Sequence, residues 1–348
     1  MMPLSVLDLS FVTDASGGPA ALRGTLDLAR AVDQLGYSRF WVAEHHNLPS
    51  VASGAPEVMI GQIAAVTRHL RVGAGGVMLP NHAPLMVAER FKVLEALHPG
   101  RIDLGIGRAP GTDGLTSMAL RRRQTDNPAD DFIDRFQELL YWKTGFPPDH
   151  PYRAIRVMPV ETELPPIWLL GSSDYSARLA AQIGTGFAFA HHFASHDAED
   201  AVRLYKEHFR PSILSPAPHA ILATAAVCAE TDAAAERLAS TIDFNYVRRS
   251  QGDYRPLASP DEASAYVYAP AEERARLANR RRVFVGAPER VRRDLGGFAE
   301  AIGADEIMVT TAVYDQEAKL RSYTLLAEAF GLKRPDAIVT REPAACGL

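Results

Sequence analysis

The chain has 348 residues, of which 47% are hydrophobic and 23% are charged, and fractions of this size exclude global disorder. Its 37 Lys and Arg residues against 42 Asp and Glu residues give a net charge of −5, which argues against nucleic acid as the main partner. A chain of this length can bury a large core without a structural metal, and its two cysteines, Cys228 and Cys346, do not predict a disulfide framework.

The beginning of the chain, MMPLSVLDLSFV, has no basic segment before its apolar residues and contains Asp8. These features predict a first strand rather than a secretory signal. No window of the sequence approaches the roughly 18 uncharged apolar residues that a membrane span requires. The sequence therefore predicts a cytoplasmic protein.

Short apolar runs alternate with segments of helical period, which is typical of repeated strand–helix units. The predicted strands are Leu4–Ser10, Arg39–Ala43, Leu70–Leu79, Arg101–Ile106, Ile167–Leu170, Phe187–Ala190, Ile221–Ala229 and Glu306–Thr311. The predicted helices are Ala20–Leu35, Pro56–His69, one that runs from Pro84 to His98-Pro99-Gly100, Ala129–Trp142, Tyr175–Ile183, Ala198–Phe209 and Gln316–Phe330. Eight such units favour a (β/α)8 TIM barrel, with a doubly wound open sheet as the alternative.

Two connections are longer than a barrel requires. Residues 144–166, after the fourth strand, are rich in proline, and residues 245–282, after the seventh, contain the charged sequence EERARLANRRR. We predict that both are insertions on one barrel domain of residues 1–334, and that the second is a candidate mobile lid. Residues 335–348 are predicted to be a frayed tail.

The carboxyl ends of the strands form the active face of a barrel, so the residues that follow each strand are candidate site residues. Glu44, His45 and His46 follow the second strand, and His191 and His192 follow the sixth. A histidine beside a carboxylate suits proton transfer because its unperturbed pKa lies near neutrality, although it can also be purely structural. A metal site is less favoured, because adjacent residues on a strand point to opposite faces.

Glycines interrupt two neighbouring predicted strands. Gly75 and Gly76 lie in the third strand, and Gly105 and Gly107 lie at the end of the fourth. Glycine weakens a strand and marks a bulge or a close approach to the backbone. Two such strands would leave a flat wall that suits a planar ring system, whereas tight barrel packing is the alternative interpretation.

Arg108 follows the glycine-rich end of the fourth strand, where a guanidinium can bind a phosphate or the oxygen-rich edge of a ring. A surface salt bridge is the alternative. Ser172, Ser173 and Ser176 flank the start of a helix, where free N–H groups and the helix dipole favour an anion. Plain N-capping would use the same serines.

The motifs at these strand ends resemble those of the bacterial luciferase-like flavin monooxygenases, in particular their stand-alone branch. The matching stretches, in order, are FWVAEHHNLP, LRVGAGGVMLPNHAPLMVAERF, GRIDLGIGRAPGTD and IWLLGSSDYSARLAAQIGTGFAFAHHF. The resemblance implies a barrel that uses reduced FMN and O₂, through a C4a-hydroperoxide, to oxygenate a small organic substrate. It also implies a separate flavin reductase and a homodimer, with Ala64, Ala65 and Met86–Phe91 as candidate dimer contacts, although core packing explains these residues as well.

The resemblance also carries residue roles over by position. In the family, the peptide bond that corresponds to Gly75–Gly76 is cis and lies under the isoalloxazine ring. The implied catalytic residues are His45, as the proton-transfer group, and Glu44 beside it. The implied cofactor-binding residues are Gly75, Gly76, Gly107, Arg108, Ser172, Ser173, Ser176 and His191.

The chain departs from the light-emitting members of the family at three positions. Gly107 stands where they have a cysteine, Ser172 where they have a glutamate, and Ala129 where they have a phosphate-binding arginine. Aldehyde specificity and light emission are therefore not implied, and Arg121–Arg123 is the candidate replacement for the missing arginine. Otherwise that triplet and Arg280–Arg282 are interpreted as solvated charges.

Other functions remain open at this stage. A relative in the same superfamily could transfer hydride with the deazaflavin F420, some relatives bind flavin without catalysis, and some barrels are metal-dependent hydrolases. The flavin interpretation fails if bulky side chains fill the glycine wall, or if Gly75 and Gly76 turn away from the mouth of the barrel.

Overall fold

The computed structural model describes residues 2–121, 131–194 and 196–334. Their strands are β1 (Leu4–Asp8), β2 (Arg39–Val42), β3 (Arg71–Ala74), β4 (Val77–Met78), β5 (Ile102–Gly107), β6 (Ile167–Gly171), β7 (Gly186–Ala190), β8 (Ala220–Cys228), β9 (Val283–Gly286) and β10 (Glu306–Thr310). Neighbouring strands pair in parallel, and the sheet closes because β10 pairs with both β1 and β8. The fold is a (β/α)8 TIM barrel, which confirms the prediction.

Helices surround the barrel. They are α1 (Gly17–Leu35), α2 (Pro56–Val66), α3 (Pro84–Leu97), α4 (Gly114–Arg121), α5 (Phe132–Thr144), α6 (Asp174–Ile183), α7 (Ala198–Glu207), α8 (Asp232–Ser250), α9 (Pro260–Ala265), α10 (Pro270–Arg280), α11 (Pro288–Val291), α12 (Gly297–Ala301) and α13 (Gln316–Phe330). The most regular predictions hold closely: α13 has the predicted bounds, and Gly36 ends α1 with a φ of 86°. None of the helices in the described ranges is long and apolar enough to cross a bilayer.

The third predicted strand is broken into two. β3 ends at Ala74 and β4 begins at Val77, so Gly75 and Gly76 lie between them. Both short strands pair with β5, which shows that they form one stave of the barrel. The chain is thus continuous around the barrel at this stave, but its backbone is irregular at the two glycines.

The region after β8 differs most from the sequence-based prediction. The predicted insertion starts at Asn245, but this residue lies inside α8, and the short strand β9 extends the sheet beside the end of β8. The helix α8 was not predicted, because polar residues such as Asp243 and Arg248 are buried on it and obscure its apolar period. The predicted tail, which contains Cys346, lies outside the described residues.

Side chains alternate between two sides of the barrel wall. On β1, Leu4 and Val6 pack outward against the helices, whereas Leu7 points into the barrel beside Trp41 and Met308. Below them, at the amino-terminal end of the strands, buried ion pairs join Arg39 to Asp103 and Glu306. The barrel interior at these residues is therefore packed.

We predict that alanine at Gly105 destabilises the barrel, because a Cβ there would overlap the carbonyl oxygen of Ala74 and lie 2.9 Å from Leu170 Cδ1. Overpacking of this kind costs roughly 1–3 kcal/mol. The matched control is Gly114→Ala, where a Cβ meets nothing within 4 Å. Urea unfolding of the two variants measures the difference, and equal midpoints would contradict the prediction.

Candidate active site

A cavity of about 840 Å³ opens at the carboxyl ends of the barrel strands. Its floor consists of the inward side chains Leu7, Trp41 and Met308, and α8 closes one side of it. In the part of the chain that the structure describes, the cavity is lined by apolar groups, arginines, histidines and neutral polar side chains but by no aspartate or glutamate. A pocket of this kind is apolar with a positive potential, and it suits an anionic ligand that carries a large apolar part.

One wall of the cavity is bare backbone. Gly75, Gly76 and Gly107 line it, and the Gly75–Gly76 peptide bond is cis, as the family resemblance implied. A Cβ at Gly76 would lie 2.9 Å from the carbonyl oxygen of Gly105, and one at Gly107 would lie 2.8 Å from Met78 Sδ. Close packing of the backbone therefore requires glycine at Gly76, whereas at Gly107 the close atom is the end of the flexible Met78 side chain. The same glycines leave the wall without side chains. The two interpretations in the sequence analysis are compatible.

Arg108 lies at the rim of this wall. Its guanidinium is 4.6 Å from the centroid of the Tyr175 ring, a cation–π contact that directs it toward the start of α6. No carboxylate among the described residues pairs with Arg108, so it is not part of a surface salt bridge. The sequence analysis did not identify Tyr175, because nothing in the sequence shows that it meets Arg108.

The serines at the start of α6 also line the cavity. Ser173 is the N-cap residue, but its side chain makes no capping hydrogen bond, and Ser176 Oγ donates to the Ser173 carbonyl at 2.7 Å. Plain N-capping thus does not explain these residues. We call Arg108, Ser172, Ser173 and Tyr175 the α6 cluster; together with the N–H groups of the first turn of α6 it can hold an anion.

His45 lines the cavity from the end of β2. Its backbone N–H donates to the Ser53 carbonyl at 2.9 Å, and its buried Nδ1 has no hydrogen-bond partner among the residues that the structure describes. Burial and the positive charge of Arg249 lower the pKa of His45 to about 4. The imidazole is therefore neutral at pH 7 and can accept a proton.

Glu44 does not reach the cavity, which corrects its predicted position beside the reactive face. Its carboxylate is fully buried and accepts hydrogen bonds from His46 Nε2 at 2.8 Å, His82 Nε2 at 2.9 Å and the Met78 amide at 2.8 Å. Burial opposes its ionisation, but the hydrogen bonds from His82 and His46 lower its pKa overall. Since adjacent residues at a strand end point to opposite sides, Glu44 holds the β4 segment in place while His45 faces the cavity.

We predict that Glu44→Gln lowers the free energy of unfolding by about 1–3 kcal/mol, because the amide cannot accept all of these bonds. Since the pKa of Glu44 is lowered in the folded state, its contribution is present above the unfolded pKa and is lost as the pH falls through the folded pKa. Urea titrations at neutral and acidic pH measure both effects. The exposed Glu161→Gln is the control, and equal losses in the two variants would contradict the assignment.

His192, and not the predicted His191, lines the cavity. His191 does not line the cavity, and its ring packs on Phe298 with centroids 5.0 Å apart. His192 lines the cavity, and its Nδ1 bonds to the Ala223 carbonyl at 3.1 Å. Burial lowers the pKa of His192 to about 4, so this imidazole is also neutral. The predicted cofactor contact of His191 therefore does not fit its position outside the cavity lining.

Residues 280–282 are not a uniform set of solvated charges, as the sequence analysis expected. Arg280 pairs with Glu236 and Asp243 of α8. Arg282 lines the cavity and donates to the Ala194 carbonyl at 2.8 Å. Within this triplet, Arg281 alone is exposed and fits the prediction.

The other predicted arginine triplet is described only at its first residue. Arg121 donates to Asn81 Oδ1 at 3.3 Å. Arg122, Arg123 and Ala129 lie outside the described residues, so the predicted replacement of the phosphate-binding arginine stays a prediction.

Residues 2–310 match the family model of the luciferase-like monooxygenases. The chain belongs to this family. It is 41% identical over 321 residues to the luciferase-like monooxygenase of Escherichia coli strain K12, with 92% of this chain and 95% of that protein covered. The crystal structure of apo-MsnO8 superposes with a TM-score of 0.87 at 39% identity and covers 96% of this chain and 100% of that one.

A more distant structure shares the fold alone. The oxygenating constituent of 3,6-diketocamphane monooxygenase from Pseudomonas putida, in complex with FMN, has a TM-score of 0.69 at 20% identity. The alignment covers 96% of this chain and 99% of that one.

Proposed function

We propose that the protein is a flavin-dependent monooxygenase that uses reduced FMN and O₂ to oxygenate a small organic substrate. The observation that carries this proposal is that one cavity combines the bare glycine wall with the α6 cluster. Membership in the luciferase-like monooxygenase family supports the reaction class. The FMN complex of 3,6-diketocamphane monooxygenase, a barrel of the same fold, supports the choice of cofactor.

The residues of the cavity fit FMN. The wall at Gly75, Gly76 and Gly107 offers a surface without side chains to a planar ring, and no bulky group projects from it. At the α6 cluster, the guanidinium of Arg108 offers a positive charge to a phosphate. The serine hydroxyls, of which that of Ser173 makes no capping bond to the helix, offer hydrogen-bond donors. The cofactor would thus lie with its ring on the glycine wall and its phosphate at α6.

When bound, reduced FMN supplies the two electrons with which one oxygen atom of O₂ enters the substrate and the other leaves as water. The protein orients the reactants and excludes water from them. The apolar floor of Leu7, Trp41 and Met308 is the part that excludes water. His45 is the group that we assign to proton transfer, because its neutral imidazole lines the cavity with an unpartnered Nδ1. His192, also neutral, is available as a second hydrogen-bonding group.

We further propose a separate flavin reductase as the source of reduced FMN and a homodimer as the assembly. The side chains of Val58 on α2 and of Met86 and Leu97 on α3 are 62%, 50% and 68% exposed, which leaves large apolar groups on this side of the barrel. Light scattering of the protein and of Met86→Glu measures the molar mass of each and tests the dimer. If the dimer interface buries this face, the wild type should be a dimer and the variant a monomer.

Titration with FMN, reduced FMN and F420, followed by a substrate screen under ¹⁸O₂, tests the function. We expect FMN binding and products that carry one labelled oxygen atom. Substrate-dependent turnover of F420 without O₂ would instead assign hydride transfer. FMN binding without any substrate-dependent consumption of O₂ would indicate a flavin-binding protein.

A further inference from the structure

One face of α8 is turned toward the cavity. Its residues are Ile242, Asn245, Tyr246 and Arg249, at positions i, i+3, i+4 and i+7 of one helical stripe. Asn245 and Arg249 are one turn apart, so their side chains are neighbours on this stripe. We call Asn245, Tyr246 and Arg249 the α8 cluster.

Two polar groups of the α8 cluster, the Arg249 guanidinium and Asn245 Oδ1, have no partner among the described residues. Among the described residues no carboxylate pairs with Arg249, although it is half-buried. The nearby Asp253 does not supply one, because it pairs with Arg248 and Arg255. Asn245 is only 7% exposed, and its buried Oδ1 has no hydrogen-bond partner. Burial of unpartnered polar groups costs free energy, so a site of this composition is completed when a ligand supplies the missing bonds.

The α8 cluster is separate from the α6 cluster. Arg108 follows β5 and the serines follow β6, whereas α8 follows β8, two to three strands further around the barrel. The charge of Arg249 also acts on His45, since it is one of the causes that lower the pKa of this imidazole. Arg249 is thus a cationic group of the cavity in addition to Arg108 and Arg282, and it is within electrostatic range of the residue that we assign to proton transfer.

We propose that the α8 cluster binds the carboxylate of an organic-acid substrate, and that the apolar part of this substrate lies over the floor of the cavity beside His45. The guanidinium of Arg249 donates to the carboxylate oxygens, and Asn245 Oδ1 accepts a hydrogen bond from a hydroxyl or N–H group that the same substrate carries. The rings of Tyr246 and Tyr254 and the side chain of Ile242 line the same side and suit the apolar part. This inference rests on the proposed function, because the α6 cluster must remain free for the phosphate of FMN.

Binding measurements on the full chain test the proposal without knowledge of the natural substrate. The probes are three acids, octanoate, phenylacetate and benzoate, each compared with its primary amide by calorimetric titration in the presence of FMN. We expect the wild type to bind at least one acid about tenfold or more tightly than the matched amide. Hydrogen bonds to charged groups are worth about this much. Arg249→Gln should abolish the preference, and Arg249→Lys should restore part of it.

The control variant is Arg281→Gln, since Arg281 is exposed and does not line the cavity. It should keep the preference for the acid, and circular dichroism of each variant verifies folding. The inference is overturned if no acid is preferred over its amide, or if Arg249→Gln retains the preference. It is also overturned if Arg108→Gln, rather than Arg249→Gln, removes acid binding, because the acid then occupies the α6 cluster.

Titration of the same variants with FMN separates this inference from the proposed function. Arg249→Gln should bind FMN as the wild type does, within about twofold. A large loss of FMN affinity in Arg249→Gln would make Arg249 a cofactor residue and overturn the inference alone. If the acids are preferred but FMN does not bind to the wild type, the proposed function fails and the acid site stands.

Discussion

Replacement of His45 by alanine is expected to lower the rate of substrate oxygenation by about 10²–10⁴-fold at saturating reduced FMN, which is the range for a positioned acid–base group. The reason is that this neutral imidazole lies at the mouth of the cavity with an unpartnered Nδ1. Single-turnover product formation with a substrate from the ¹⁸O₂ screen measures the effect, so that flavin supply does not limit the rate.

The control for this variant is His208→Ala, which removes an exposed histidine at the end of α7. It should have the wild-type rate. An unchanged rate in His45→Ala, with FMN binding intact, would exclude His45 from proton transfer. His45→Gln should be as slow as the alanine variant, because the amide fills a similar space but does not take up a proton.

The pH dependence of the wild type provides a separate prediction. Burial and Arg249 lower the pKa of His45 to about 4, with Glu44 acting in the opposite direction and His46 adding to the shift. A reaction that needs the neutral imidazole should therefore stay active through pH 6 and lose rate as the pH falls toward 4. Single-turnover rates in this range measure the acid limb, and a midpoint near 6.5 would show that another group controls it.

Replacement of Arg108 by glutamine is expected to weaken FMN binding by up to about 100-fold, because each hydrogen bond from the guanidinium to a phosphate is charge-assisted. Riboflavin, which lacks the phosphate, should bind the variant and the wild type equally well. This pair of ligands isolates the phosphate contribution, since Arg108 otherwise contacts the exposed ring of Tyr175. Quenching of flavin fluorescence measures both affinities.

Arg108→Lys serves as the conservative variant and should keep part of the affinity for FMN, since it retains the charge but not the planar fork. If FMN and riboflavin lost affinity to the same extent in Arg108→Gln, the residue would contact the ring system rather than the phosphate. The α6 cluster would then not be the phosphate site.

The strand order and the glycine wall were predictable because both depend on local sequence. Alternating apolar runs identify barrel strands, and glycines at Gly75, Gly76 and Gly107 mark where backbone is exposed to a cavity. The position of Arg108 and of the three serines at the cavity was predictable for a similar reason. Each directly follows a strand, and the carboxyl ends of parallel barrel strands meet at one face.

That His192 lines the cavity instead of His191, and that Glu44 does not line it, was not predictable. Which of two adjacent residues faces the cavity depends on the exact residue at which a strand ends, and sequence patterns determine this only to within a residue or two. At the end of β7 a 3₁₀ turn, His191–Phe193, turns His192 inward. At the end of β2, the Glu44 carboxylate instead accepts hydrogen bonds from His46 and His82.

The sequence by itself determined the barrel, the active face, the glycine wall and the family, because strand periodicity and short motifs are properties of neighbouring residues. Only the tertiary structure decided that the Arg108 guanidinium lies over the Tyr175 ring, that Glu44 binds the Met78 amide outside the cavity, and that Arg249 lines the cavity. These contacts join residues far apart in the chain, and buried polar side chains hide the helical stripe of α8 from pattern analysis. These contacts form because the closed barrel brings its loops together, and a local sequence pattern does not predict which loops meet.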